Sequence, residues 1–290
     1  MSQNDKVIIT CALTGVLTNP KLHRVPVTPE QMALEARRAF DSGAAIVHVH
    51  CRNQDPDLGH LPSFDPDVCD RVISAIKNAV PEIIINLSTG IMGMDISGPT
   101  ACIKRIRPEY AACNAGTLNY LKIKNDGAWA WPPLVFDNPV EKIQGFLDVM
   151  QETGTRPEFE CFDTGHVRSI ALFEKNGMVH HPSINFVMGV QSGMPLKPHW
   201  LPLLLEEIGP ATRWQVTAIG RKDVWPLHRR AAELGGNLRS GLEDTFYLDN
   251  GDKVDSNAPL IEALARLAQE TGRTVASASE ARAIMGFTSY

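Results

Sequence analysis

At 290 residues, with 43% hydrophobic and 21% charged side chains, the chain has the composition of a globular protein able to bury a sizeable core in one domain or two, which excludes a disordered or fibrous polypeptide. A net charge of -5 without any Lys/Arg block offers no basic field to nucleic acid or an anionic membrane surface, and no apolar run approaches the roughly 20 residues that span a bilayer. The six cysteines (Cys11, Cys51, Cys69, Cys102, Cys113 and Cys161) are scattered without a CxxC pair, so buried free thiols are expected, and the start of the chain carries no signal-peptide pattern, which points to the cytoplasm.

Residues 7–12 read as a short buried strand, followed by a loop from Leu13. Thr28-Pro29-Glu30-Gln31 then supplies a cap, a proline at the first helical position and a glutamine three on, ahead of the apolar stripe Met32, Ala36, Ala39, Phe40. Asp41-Ser42-Gly43 ends that helix. The next strand, 44–50, carries His48 and His50 one residue apart, and strand alternation turns both to the same face where the apolar run stops. Two converging imidazoles suit a metal that finds a third ligand; two partly exposed histidines at a strand end are the plainer alternative.

A second helix opens at Asp65-Pro66 with Val68, Val72, Ile73 and Ile76 on one face, and 83–87 is the third strand, breaking at Ser88-Thr89-Gly90. A helix near 99–105 leads to strand 110–114; a longer connection with Trp129 and Trp131 precedes a helix over 140–152. Strand 158–162 is unusual in turning two carboxylates, Glu158 and Glu160, to one face. A helix over about 167–175, strand 184–190, a helix over 199–208, strand 214–218 and a helix over 227–234 follow. Residues 236–239 form a weak last strand, Gly241-Leu242-Glu243-Asp244 lies just beyond it, Ser256 caps a helix running to Thr271, and Ser279 starts a short terminal one. Eight βα units in this length predict an α/β (β/α)8 TIM barrel, one catalytic domain over residues 1–290. A doubly wound open sheet is the alternative, but no G-x-G-x-x-G follows the first strand and no composition break marks a second domain.

Closure of such a barrel puts strand eight beside strand one and strand one beside strand two, so Glu243 or Asp244 can reach His48 and His50. Working residues of this fold come from the C-terminal ends of strands, where His48, His50, Ser88, Asn114, Glu160, Arg239, Glu243 and Asp244 all fall. Each alone has a structural explanation, such as Ser88 capping the next helix or Glu160 pairing with a lysine. Together they suggest a site, and two histidines with one carboxylate form the ligand set of a catalytic zinc, which Fe(II) or Mn(II) would also accept.

In Val7-Ile8-Ile9-Thr10, Pro26-Val27-Thr28-Pro29-Glu30, Gly43 through His50, Ile85-Asn86-Leu87-Ser88-Thr89-Gly90, Asn114-Ala115-Gly116-Thr117 and Gly241-Leu242-Glu243-Asp244, the chain resembles the β-keto acid cleavage enzyme family, which includes an aminohexanoate-cleaving enzyme of lysine fermentation. The match runs in order over nearly the whole length. It implies a TIM barrel with zinc on His48, His50 and Glu243, and a reaction in which a β-keto acid and acetyl-CoA give acetoacetate and a new acyl-CoA. It implies Asp244 as the base, with Arg239 binding the substrate carboxylate or orienting Asp244. Glu160 and Ser88 join the catalytic group, and Ser88, Asn114 and Leu17 contact the substrate. A homo-oligomer, dimer or tetramer, is implied as well.

Two departures bear on the substrate. Where the aminohexanoate enzyme has a glutamate, Leu17 follows Thr14-Gly15-Val16, and Ala112 replaces a threonine. A buried ammonium would lack a partner there, so an uncharged tail is expected. Trp129 and Trp131 would otherwise have to cage a trimethylammonium group, or else simply pack. A zinc-dependent aldolase or hydrolase without CoA, and a binding protein without turnover, are the other readings of the same residues.

Overall fold

The computed structural model describes residues 5–287. Eight parallel strands close into a barrel: β1 (Ile9–Ala12), β2 (Ile46–Val49), β3 (Ile84–Leu87), β4 (Tyr110–Asn114), β5 (Arg156–Cys161), β6 (Ser183–Met188), β7 (Arg213–Ala218) and β8 (Asn237–Ser240). Each pairs with the next and β8 pairs with β1, so the (β/α)8 TIM barrel expected from the rhythm is the observed architecture. The connecting helices are α1 (Pro29–Asp41), α2 (Pro66–Ala79), α3 (Ser97–Ile106), α4 (Val140–Thr153), α5 (Thr164–Asn176), α6 (Trp200–Leu205), α7 (Trp225–Glu233) and α8 (Ala258–Glu270), followed by α9 (Ala278–Met285). Among the described residues no helix is long and apolar enough to cross a membrane.

The strands read as apolar runs because both faces are covered. Outward residues such as Ile9, Cys11, Val47, Val49, Ile85 and Leu87 pack under the helices, and all six cysteines are buried and free. The inward face is different. At the N-terminal end Ile8, Ile46, Ile84 and Tyr110 pack against Ala278, Ala281 and Met285 of α9, which closes the bottom. Above them the pairing register brings Thr10, Asn86, Glu158 and Gln215, from alternate strands, into one layer, where barrels ordinarily place branched aliphatic side chains. Thr10 Oγ1 donates to Gln215 Oε1 at 3.2 Å, Gln215 Nε2 to Glu158 Oε1 at 2.6 Å and Asn86 Nδ2 to Glu158 Oε2 at 2.8 Å. The next layer up holds His48, Ala112, Asn185 and Arg239, and the one above it Ala12, Ser88, Glu160 and Thr217.

Several boundaries differ from the sequence reading. The first strand is split: Lys6–Val7 pairs with Thr274–Val275 outside the barrel, while the Ile8 N–H is taken by Asn237 Oδ1. Helix α5 starts earlier than expected because Asp163 caps it, its Oδ1 accepting from the Gly165 N–H. Helix α6 is shorter, covering six residues. Asn257, not Ser256, precedes α8, and its side chain is spent on the barrel, accepting from the Leu242 N–H and donating to Leu13 O and Glu35. Ser277, not Ser279, opens α9 through a capping box with Glu280. The connection after β4 contains an unforeseen antiparallel hairpin, Leu118–Tyr120 with Leu134–Phe136. Trp131 stacks on Tyr120 of this arm, and Trp129 is 47% exposed.

Helix α7 buries His228 completely, edge-on to Trp225 at 5.7 Å, and neither ring nitrogen has a hydrogen-bond partner among the described residues. Burial pushes the imidazole down to about 4, from the usual 6.5. The unfolded chain therefore binds the proton more readily, and His228 weakens the fold as pH falls from about 6.5 to about 4, by about 3 kcal/mol in all. Urea titrations across that range should show a shallower acid loss in His228→Leu than in the parent; parallel curves would show that His228 does not titrate this way.

Candidate metal and proton-transfer site

The polar strand ends gather at the C-terminal mouth of the barrel. Adjacency of β8, β1 and β2 brings Glu243 to the two histidines, and the backbone makes room for it at two glycines. Gly241 has φ 157°, and a Cβ there would meet Ala12 O at 2.1 Å; a Cβ on Gly15 would lie 2.6 Å from Glu243 Cγ. His48 Nε2 stands 3.8 Å from Glu243 Oε2 and His50 Nε2 3.4 Å from Glu243 Oε1, with the imidazole centroids 5.0 Å apart.

These donors fit a metal ion. Two ligands on one tetrahedral ion, each about 2.1 Å from it, stand roughly 3.4 Å apart, close to the observed spacings. Glu243 Oε2 is buried without a hydrogen-bond partner among the described residues, an arrangement that is costly for a carboxylate unless a cation meets it. Burial, helped by Arg239, pushes His48 well below the usual imidazole range, so it is the neutral ligand form. Burial opposes ionisation of Glu243, but His50 and Arg239 override it and hold the carboxyl well below its ordinary range.

Arg239, only 2% exposed, is surrounded by carboxylates. Its Nε and Nη2 donate to Asp244 Oδ2 and Oδ1, each at 3.2 Å; Nη2 also donates to Glu243 Oε1 at 2.7 Å and Nη1 to Glu160 Oε1 at 3.1 Å. Burial alone would favour loss of its proton, yet Asp244, Glu243 and Glu160 raise its pKa well above the ordinary value. Burial, reinforced by Glu243 against the pull of Arg239, lifts Asp244 to about 7. Glu160 is likewise raised by burial, with Arg239 opposing. The arrangement is one buried cation holding a carboxyl group that titrates near neutrality beside three residues that could hold a metal ion.

Ser88 and Asn114 approach the same rim: a Cβ on Gly90 would lie 3.6 Å from Asn114 Nδ2 and 4.0 Å from Ser88 Oγ. Leu17 is the exception. It is 71% exposed on the β1–α1 loop, which Arg52 ties down. Arg52, 1% exposed, donates to Thr14 Oγ1 at 3.0 Å, Thr18 O at 2.9 Å, Gly59 O at 3.0 Å and Gly15 O. In the sequence it sits in a polar stretch indistinguishable from a solvated loop. Asn86 and Glu158 were also not foreseen as one unit, although the two carboxylates on one strand face were a signal.

The closed barrel gathers the candidate ligands and the clamped carboxyl at the C-terminal ends of its strands, where barrel enzymes carry their sites. The β-keto acid cleavage enzyme family matches residues 6–287, and the chain belongs to it. It is 34% identical to a 3-keto-5-aminohexanoate cleavage enzyme of Acetoanaerobium sticklandii over 287 residues, 98% of this chain and 99% of that one. It is 33% identical to a 3-oxoadipate:acetyl-CoA acetyltransferase of Cupriavidus necator, covering 97% and 95% of the two chains. A 3-dehydrocarnitine:acetyl-CoA trimethylamine transferase of Rhizobium meliloti is 30% identical, with 97% of each chain covered. The apo structure of ObcA shares the fold, with TM-score 0.71 and 20% identity over 91% of this chain and 65% of that one, so the chain spans about two thirds of that longer protein.

Removing the guanidinium would strand three buried carboxylates. Arg239→Leu, measured metal-free at pH 7, should lose about 3–5 kcal/mol of unfolding free energy. A loss below about 1 kcal/mol would show that the carboxylates do not depend on this cation.

Proposed function

We propose that the chain cleaves a β-keto acid with an uncharged tail, using acetyl-CoA and giving acetoacetate and a new acyl-CoA, with zinc held by His48, His50 and Glu243. The observation that carries this reading is the Asp244 carboxyl, clamped by Arg239 beside the ligand cluster, in a family whose named relatives include acetyl-CoA transferases. The bound ion supplies Lewis-acid polarisation of the ketone oxygen, acidifying the carbon between ketone and carboxylate.

Asp244 takes the C2 proton. Its contacts support this: Arg239 grips both its oxygens, so the carboxylate keeps its orientation when the proton arrives. The C2 carbanion attacks the acetyl thioester carbonyl and CoA leaves as thiolate. The thiolate then attacks the original ketone carbon, the bond between that carbon and C2 breaks, and C2 recovers its proton from Asp244 to complete acetoacetate. Nε, Nη1 and Nη2 of Arg239 are already engaged, which favours a positioning role for it and leaves the substrate carboxylate to Ser88 and Asn114 at the rim. Glu160 serves as the outer partner that keeps Arg239 in place.

The tail assignment rests on chemistry at the rim. Ala112 is fully buried and Leu17 lies on the β1–α1 loop, and neither carries a carboxylate for a primary ammonium. The chain should therefore show higher kcat/KM with 3-oxohexanoate-like acids than with 5-amino-3-oxohexanoate; preference for the amine would contradict the uncharged tail.

Incubating β-keto acids with acetyl-CoA and reading products by mass tests the reaction. Acetoacetate and a new acyl-CoA are expected only when both substrates are present, and cleavage without acetyl-CoA would support an aldolase or hydrolase instead. In Asp244→Asn, exchange of the substrate C2 hydrogen with deuterated water should fall 10²-fold or more while metal content is kept. Unchanged exchange would move the base elsewhere, with Glu160 the next candidate.

A further inference from the structure

The polar layer beneath the site leaves two complementary atoms unexplained. His48 Nδ1 and Asn86 Oδ1 are both buried without a hydrogen-bond partner among the described residues, and their residues are cross-strand partners in the β2–β3 ladder. His48 is 1% exposed and Asn86 fully buried, so no solvent substitutes for a partner.

The orientation of Asn86 is dictated from the other side. Glu158 is 2% exposed and its two oxygens accept from Asn86 Nδ2 at 2.8 Å and Gln215 Nε2 at 2.6 Å. Burial and the Glu160 charge lift Glu158 to about 7; where it is ionised it only accepts, so Asn86 turns its NH2 toward Glu158 and its carbonyl oxygen away, as the 2.8 Å contact shows. That oxygen also only accepts, and the unpaired buried atom on its register partner is His48 Nδ1. The proton of the neutral imidazole is therefore required on Nδ1, which leaves the Nε2 lone pair facing Glu243.

We propose that Glu158, acting through Asn86, fixes the Nδ1-protonated tautomer and the ring orientation of His48, and so sets the affinity of the site for a divalent ion. Both act on His48 as positioning residues. The arrangement explains why a layer normally filled with aliphatic side chains is polar here: the ligand histidine hangs from it. Gln215, held by Thr10 at 3.2 Å, completes the support by occupying the other Glu158 oxygen.

The proposal rests on reading His48, His50 and Glu243 as a metal site, and its test separates the two. In metal-free protein, ¹⁵N shifts of the His48 ring report the tautomer directly; zinc affinity is measured by chelator competition and folding by thermal melts. Glu158→Gln gives Asn86 a neighbour that can donate, which frees the amide to flip. Its His48 should lose the Nδ1-protonated form as the dominant species, and zinc affinity should fall 10- to 100-fold. Asn86→Leu should lower zinc affinity similarly. Thr217→Val, which breaks the 2.9 Å bond from Thr217 to Asn185 in a neighbouring layer, should leave tautomer and affinity unchanged and controls for general loosening. The proposal is overturned if Glu158→Gln and Asn86→Leu both fold and bind zinc as tightly as the parent, or if the parent tautomer is protonated on Nε2. A parent with the Nδ1-protonated tautomer that binds no divalent ion would overturn the metal reading, and with it the claim on affinity, while upholding the orientation of His48.

Discussion

One buried guanidinium holds the mouth of this barrel together. Arg239 lies at the end of β8 with Asp244, Glu243 and Glu160 around it, and without that cation three carboxylates would face one another out of water. The desolvation of each would cost several kcal/mol, so the cluster exists only as a unit. Its members differ in consequence. Glu243 also faces His50 and stays ionised, while Asp244, deeper and pressed by Glu243, rises to about 7. Two adjacent carboxyl groups are thus set apart in protonation by environment alone, as the proposed roles of ligand and proton carrier require.

The same constraint continues below the site. An apolar barrel interior would stabilise the fold without specifying where a histidine points, whereas the Thr10–Gln215–Glu158–Asn86 layer joins strands across the barrel by directed bonds. Such a network is favourable only when its members are satisfied, which couples the register of the strands to the geometry above them. Helix α9 and the aliphatic layer at the bottom then seal the polar interior from water. On the opposite side, Arg52 holds the β1–α1 loop by backbone oxygens, leaving the side chain of Leu17 outside the packed region.

Much of this was legible in the sequence because it depends on short-range periodicity and on barrel topology. His48 and His50 share a face by strand alternation, and Glu243 reaches them because β8 neighbours β1 and β1 neighbours β2. Arg239 was recognisable as a strand-end cation, but its simultaneous hold on three carboxylates depends on side-chain reach that no spacing encodes. Asn86 and Glu158 sit in different strands, and only the closed register shows that they meet. The hairpin after β4 is hard to read because its two strands are only three residues each, although Asp126-Gly127 at the tip of the arm is a hairpin-turn signature. Arg52 was hidden because a buried arginine satisfied by carbonyls looks, in sequence, like a solvated one.

The central claim is that His48, His50 and Glu243 are the ligands of a single divalent ion, with Asp244 beside it held by Arg239. Anomalous diffraction from crystals of the protein grown with zinc, collected on both sides of the absorption edge, addresses it directly. The account predicts one strong anomalous peak bonded to Nε2 of both histidines and to the Glu243 carboxylate. An occupied ion on other residues, or no peak at this cluster in zinc-replete crystals, would contradict it.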